Sequence, residues 1–166
     1  MGAFLFCGNF FWHDLVEIRF RSFFTLGHEP CDSVDNALVK NGIFFPHILA
    51  MSEGAEVHRH LGPGLLKSVY EDALCHEFHL RGIEYERHKT IPIPYKGIDL
   101  ESGLRLDLLV ENRVVVCIEA AEQVTELDRV ETMTYLRLTG LHLGLDINFF
   151  EPVLPRGVKR ILNNHI

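Results

Sequence analysis

The apolar and polar positions of this chain follow regular periods from about residue 51 onward. Between residues 65 and 81 the apolar side chains recur at helical spacing, at Leu66, Val69, Tyr70, Ala73 and Leu74. Such spacing is typical of an amphipathic helix, and Gly82 is placed to close it. A shorter helix is predicted at 52–61, with Ser52 as its N-cap and the Gly-Pro-Gly run at 62–64 as its stop signal.

The pattern then changes to that of β-strands. Residues 83–88 and 91–95 are predicted as strands, and Pro92 and Pro94 mark an edge or a bulge. Residues 104–110 and 114–118 predict a hairpin that turns through residues 111–113.

A second long helix is predicted at 124–139, with apolar residues at Leu127, Val130 and Met133 and with Gly140 at its end. A buried strand is predicted at 141–150, followed by a short closing element. This order predicts an α/β (α+β) fold, a central mixed β-sheet flanked by helices.

The first 50 residues have a different character. They hold nine of the twelve Phe residues but show no helical or strand period. Three interpretations stay open: an extension packed on the domain, an irregular arm, or translated sequence upstream of a true start at Met51. The predicted organisation is therefore an extension of uncertain order at 1–50 and one domain at 51–166.

Composition and charge narrow the class of protein. The formal net charge of −7 argues against a protein coated in positive charge that binds any nucleic acid, although a local basic groove remains compatible with it. The four cysteines form no CxxC pair, which predicts reduced thiols in a cytoplasmic protein. No apolar run is long enough to predict a transmembrane helix.

The hairpin carries the most informative polar residues. With the turn centred on Asn112, Asp107 lies opposite Cys117, and Glu119 shares their face. Two carboxylates would then lie diagonally across two strands, within reach of one Mg²⁺ or Mn²⁺ ion. The alternative is that Asp107 and Glu119 are solvated residues on an exposed face.

Several motifs resemble those of the GxxExxY family, which is placed in the PD-(D/E)XK nuclease superfamily. They are HRHLGPGLL at 58–66 with SVYE at 68–71, IPIPYKG at 91–97, RLDLLV at 105–110, TYLRLTG at 134–140 and LGLDINF at 143–149. The resemblance covers residues 51–160 in collinear order and implies a restriction-endonuclease-like core. It also implies a magnesium-dependent nuclease that contacts the DNA backbone, and a homodimer is a further expectation.

The catalytic motif of that family is altered in this chain. Asp107 matches, but Lys67 stands where the family carries a glutamate, and Cys117 and Glu119 stand where the superfamily carries an acid and a lysine. Glu131, four residues before Tyr135, stands where the family tends to have a glutamine.

Two hypotheses follow from these replacements. In one the site is inactive, and the fold is a module that binds nucleic acid or a protein partner. In the other the charges have exchanged places: Asp107 and Glu119 hold the metal, and Lys67 supports charge on the attacked phosphate. Residues expected around this cleft are Tyr70, Cys117, Glu131, Tyr135 and His58.

Overall fold

Residues 44–164 are the part of the chain that the computed structural model describes. The helices are α1 (Phe44–Leu61), α2 (Lys67–Leu80), α3 (Glu126–Thr139) and the single-turn α4 (Leu154–Gly157). The strands are β1 (Tyr85–Arg87), β2 (Thr90–Tyr95), β3 (Ile98–Arg105), β4 (Leu108–Val110), β5 (Val114–Glu119), β6 (Leu143–Asn148) and β7 (Val158–Leu162). Five of these strands form one mixed sheet in the order β1-β4-β5-β6-β7, so the predicted fold class is confirmed.

The centre of the sheet is the β4–β5 hairpin with β6 beside it. Leu108 pairs with Val116 and Val110 with Val114, which centres the turn on Asn112 as predicted. The chain then crosses through α3, and β6 pairs with β5 in parallel. Every residue of β6 is buried, as expected for a strand covered by helices on both faces.

Helix α3 packs closely on one face of the sheet, and α1 packs on the other. On the α3 side, a Cβ atom added to Gly144 would lie 2.6 Å from Thr132 Cγ2, so a glycine is needed there. On the α1 side, the Cβ position of Gly54 lies 3.6 Å from Ile147 Cδ1. Because side chains alternate along a strand, Asp146 points toward α3 while Ile147 points toward α1.

Helix α1 begins earlier than the sequence suggested. It starts at Phe44 rather than Ser52, and its residues 46–50 are buried. The predicted helix start was therefore wrong, because a helical segment that is buried on all sides shows no amphipathic period. The predictions about residues 1–43 lie outside the described part of the chain, and a true start at Met51 stays a prediction.

The buried faces of α2 and α3 differ in part from the apolar patterns that predicted these helices. Leu66 is 75% exposed and Leu127 is 77% exposed, although both belong to the apolar patterns that predicted these helices. Helix α2 buries Tyr70 and Leu74 of the predicted pattern together with Glu71, Cys75 and Phe78, whereas α3 buries Thr132, Tyr135 and Leu136. Because polar residues occupy part of both buried faces, hydrophobic spacing alone gave only part of the α2 face and the wrong side of α3.

Strands β2 and β3 form a separate two-stranded sheet. Its register shifts between Ile91 and Ile93, at the proline-containing position where a bulge was predicted. The single strand predicted at 104–110 is in fact two strands, because β3 ends at Arg105 and β4 begins at Leu108. This break places Asp107 between two strands.

Two further expectations concern the described residues only. Cys75 and Cys117 are both free thiols, as predicted. Among the helices of residues 44–164, none combines the length and the apolar character needed to cross a membrane.

Candidate active site

Asp107 is held in a fixed position at the break between β3 and β4. The backbone carbonyl of Asp107 accepts a hydrogen bond from the His88 N–H (3.0 Å). Its carboxylate Oδ2 accepts one from the backbone N–H of Ile118 on β5 (2.9 Å). The side chain therefore lies across the end of the hairpin, on the face that carries Cys117 and Glu119.

Lys67 lies between the two predicted metal-binding carboxylates. Its Nζ is 2.9 Å from Asp107 Oδ2 and 3.7 Å from Glu119 Oε1. Burial acts to lower the pKa of Lys67, but the hydrogen bond and charge of Asp107, with the charge of Glu119, outweigh burial and raise it. The pKa of Glu119 is also raised, because its burial outweighs the more distant ammonium. Lys67 is thus paired mainly with Asp107.

The first residues of α2 place Lys67 there. Tyr70 donates a hydrogen bond from its hydroxyl to the Gly62 carbonyl (2.7 Å) and accepts one from the Leu65 N–H (3.0 Å). Its ring stacks on Phe149, with centroids 4.5 Å apart. Tyr70 therefore fixes the glycine-rich loop that leads into α2.

Glu119 is positioned by the end of the neighbouring strand. The Phe149 N–H donates to the Glu119 carbonyl (2.8 Å). The buried Asn148 side chain accepts from the Ala121 N–H and donates to the Ala121 carbonyl. These bonds fix the backbone on which Glu119 lies.

Behind Asp107 and Glu119, three side chains from β5, β6 and α3 are buried together. Thr132 Oγ1 donates to Asp146 Oδ1 (2.6 Å) and lies 3.3 Å from Cys117 Sγ. Burial raises the pKa of the Cys117 thiol far above its usual value, so this group stays protonated and is a poor ligand for a hard cation.

Asp146 is the one acid among these three side chains, and only 3% of its surface is exposed. Its second carboxylate oxygen, Oδ2, has no hydrogen-bond partner. Burial, against the opposing effect of the Thr132 hydrogen bond, raises the pKa of Asp146 to about 6.

The raised pKa of Asp146 predicts a specific pH dependence of stability. A folded protein in which this pKa is about 6 binds the proton more tightly than the unfolded chain, so the associated stability is complete at low pH and is lost as the pH rises through 6. From about pH 4 to pH 8, the free energy of unfolding of the wild type should fall by about 2–3 kcal/mol relative to that of Asp146→Asn. Urea denaturation of both proteins across this range measures it, and parallel pH profiles would contradict it.

The side chains of Asp107, Lys67, Glu119 and the buried group behind them meet around one small cavity of about 80 Å³. Its lining holds five carboxylates and one ammonium group, and consists of Lys67, Asp107, Cys117, Glu119, Asp128, Glu131, Thr132, Tyr135 and Asp146. The Tyr135 hydroxyl donates to Glu131 Oε1. Six of the predicted residues, Lys67, Asp107, Cys117, Glu119, Glu131 and Tyr135, are therefore brought together.

Tyr70 and His58 were expected at the cleft, and the structure places both elsewhere. Tyr70 is buried in the core, and its hydroxyl is used by the glycine-rich loop. His58 Nε2 bonds to the Glu151 carbonyl (2.7 Å), and its ring lies over Phe149. Neither residue lines the cavity, because both face the loop after β6 instead.

Sequence reasoning missed Asp128, Thr132 and Asp146. The sequence did contain a signal for Asp146, since an acid within the apolar strand LGLDI is costly unless it is paired or bound. Thr132 gave no such signal. Its role depends on the approach of α3 to β6.

The donor set of the cavity fits a hard divalent cation with few protein ligands. Within residues 44–164, no three His, Cys, Asp or Glu side chains are arranged to enclose a metal ion. Mg²⁺, however, is usually bound by one or two carboxylates, with water and phosphate in the other positions. The excess of carboxylates over cationic groups in the cavity fits such an ion at Asp107 and Glu119.

Fold and site together define an α/β protein with a mixed sheet and an acidic cavity at the end of a β-hairpin. The family model of the PD-(D/E)XK nuclease superfamily matches residues 48–161, and the chain belongs to this superfamily. The comparison with curated proteins and the comparison with solved structures each gave no match.

Proposed function

We propose that this protein is a GxxExxY-type phosphodiesterase that cleaves DNA with the help of Mg²⁺ or Mn²⁺ at an altered site. The observation that carries the proposal is the position of Lys67 Nζ, 2.9 Å from Asp107 Oδ2 and 3.7 Å from Glu119 Oε1. Two carboxylates and one ammonium group converge at one point, which is the charge arrangement that phosphodiester hydrolysis needs.

Each residue has a distinct role in this proposal. Asp107 and Glu119 would hold the ion, which when bound supplies Lewis-acid stabilisation and an activated water. Lys67 places its positive charge beside the phosphate and stabilises the charge that develops there. The Ile118 N–H holds Asp107 in orientation throughout.

The proposed substrate contact is with the DNA backbone. The net charge of −7 gives no general attraction to nucleic acid, so binding would depend on a few local cations and would weaken steeply with salt. A cytoplasmic location and a homodimer belong to the same proposal.

A second candidate function is supported by the same ion pair. Lys67 neutralises Asp107 directly, and Cys117 is a buried, protonated thiol. An ion pair that only fastens α2 to the sheet would leave an inactive nuclease fold that binds nucleic acid or a protein partner.

The test of the first candidate is cleavage of plasmid and single-stranded DNA in the presence of Mn²⁺. The wild type should cleave, and Asp107→Ala should be slower by about 100-fold or more, because a metal ligand is lost. Asp99→Ala is the matched control, since Asp99 is an exposed aspartate on β3. It should cleave at the wild-type rate.

The inactive alternative makes a different prediction. The triple variant Lys67→Glu, Cys117→Glu, Glu119→Lys rebuilds the family pattern in the same fold. Cleavage by this variant alone, with none by the wild type, would overturn the proposed activity and support the binding module.

A further inference from the structure

Helix α2 contacts Asp107 twice, once directly and once through His88. Lys67 and Glu71 lie four residues apart on α2, so their side chains project from the same face of the helix. Lys67 Nζ meets the Asp107 carboxylate at 2.9 Å. Glu71 Oε1 lies 2.9 Å from His88 Nε2, and the His88 backbone N–H donates to the Asp107 carbonyl at 3.0 Å. Helix α2 is therefore connected to both the side chain and the backbone of Asp107.

The backbone of His88 adopts a conformation that needs support. His88 lies in the short connection between β1 and β2, and its φ of +56° falls in the left-handed region that residues other than glycine rarely adopt. This connection runs beside the break between β3 and β4. The His88 N–H donates to the Asp107 carbonyl, and the Lys89 carbonyl accepts from the Leu106 N–H at 2.9 Å. The strained connection is therefore bonded to the segment that carries a proposed metal ligand.

Glu71 is a buried anchor for the His88 side chain. Only 4% of the Glu71 surface is exposed, and a buried carboxylate is costly unless cations or donors surround it. Besides its contact with His88, Glu71 Oε1 accepts a hydrogen bond from Arg87 Nε at 2.6 Å. Arg87 also pairs with the exposed Asp72 at 2.7 Å. Because Glu71 is held by Arg87 as well, the His88 side chain has a partner of fixed position on α2.

We propose that His88 is a positioning residue of the candidate site, whose contact with Glu71 directs its own N–H and thereby sets the placement of Asp107 against Lys67 and the cation. This inference rests on the proposed function. His88 does not line the cavity, so it acts on the ion only through Asp107. Outer partners of metal ligands typically change metal affinity by about 10–100-fold when they are replaced. A partner that acts through the backbone should lie at the lower end of this range.

The test is a titration of the full-length protein with Mn²⁺, in which free Mn²⁺ is measured by electron paramagnetic resonance and no DNA is present. His88→Gly keeps the N–H and suits the positive φ, but it loses the contact with Glu71. It should weaken Mn²⁺ binding by about tenfold. His88→Gln places an amide donor near the position of Nε2 and should restore the affinity to within about threefold of the wild type.

Two control variants separate positioning from stability. Lys96→Gly makes the same kind of change at an exposed turn residue with a φ of +49°, and it should bind Mn²⁺ as the wild type does. Arg87→Met removes the other partner of Glu71 and leaves the His88 contact in place. It should lower the urea midpoint of unfolding, because a buried carboxylate loses a cation, but should keep Mn²⁺ affinity within about threefold.

The outcomes separate this inference from the proposed function. If the wild type binds Mn²⁺, Asp107→Asn does not, and His88→Gly binds as the wild type does, the inference is overturned alone. Equal losses in His88→Gly and His88→Gln would also overturn it, because the contact with Glu71 would then be irrelevant. No binding by the wild type would overturn both.

A further variant guards against a folding defect in His88→Gly. Asparagine also tolerates positive φ, but its side chain is shorter than that of histidine and loses the contact with Glu71. His88→Asn should therefore unfold cooperatively in urea and lose about tenfold in Mn²⁺ affinity. Wild-type affinity in a folded His88→Asn protein counts against the inference.

Discussion

Replacing Lys67 with methionine is expected to slow DNA cleavage by about two to three orders of magnitude while Mn²⁺ binding becomes tighter. The positive charge that would stabilise the developing charge on the phosphate is lost, and groups of this kind contribute about 10²–10³ in rate. At the same time Asp107 and Glu119 are freed from the ammonium that pairs with them. Cleavage assays and Mn²⁺ titration on the same preparation measure the two effects.

The opposite directions of these effects are the decisive feature. If Lys67 only fastens α2 to the sheet, its removal should change stability, with no tighter binding of metal and no specific loss of rate. Lys89→Met is the matched control, because Lys89 also pairs with a carboxylate, Glu86, at 2.7 Å, but on the exposed surface. It should leave both rate and metal affinity unchanged.

Leu49→Ala is expected to lower the free energy of unfolding by about 2–4 kcal/mol. Leu49 lies in the first half of α1 and is 8% exposed, so the substitution leaves a cavity beneath the helix. Urea denaturation of the full chain measures the change. Leu127→Ala makes the same substitution at a residue that is 77% exposed and should cost far less.

This result also bears on where the folded domain begins. Residues 44–50 were assigned to an extension or to sequence upstream of Met51, but they form part of an 18-residue helix. Glu53, further along this helix, pairs with Arg81 just beyond the end of α2 (2.6 Å), so α1 is fastened to the domain. A Leu49→Ala protein as stable as the wild type would favour the interpretation that the chain before Met51 is dispensable.

The hairpin was predicted well because its register is set locally. A three-residue turn at 111–113 with buried apolar positions on both strands leaves one pairing that keeps them covered, and that pairing placed Asp107, Cys117 and Glu119 on one face. The ends of α2 and α3 were also readable, since Gly82 and Gly140 have φ values of +64° and +68° that favour glycine.

The buried helix faces and the break at Asp107 were not readable in the same way. Periodicity counts apolar residues, but α3 turns Thr132 and Tyr135 toward the sheet and leaves Leu127 in solvent. Which face of α3 is buried depends on polar partners in the sheet, such as Asp146 on β6, which accepts from Thr132. Likewise β3 and β4 separate at Leu106 and Asp107 because β3 pairs with β2 in a second sheet.

The sequence by itself determined a mixed sheet with flanking helices and an acid pair on one β-ribbon, because turns, caps and strand alternation act between near neighbours in the chain. Tertiary structure alone decided which distant side chains share the cavity. Lys67 reaches Asp107 across 40 residues, and Asp146 meets Thr132 only because β6 adds in parallel to β5 beneath α3. No local pattern encodes those approaches, since each depends on how closely separate elements pack.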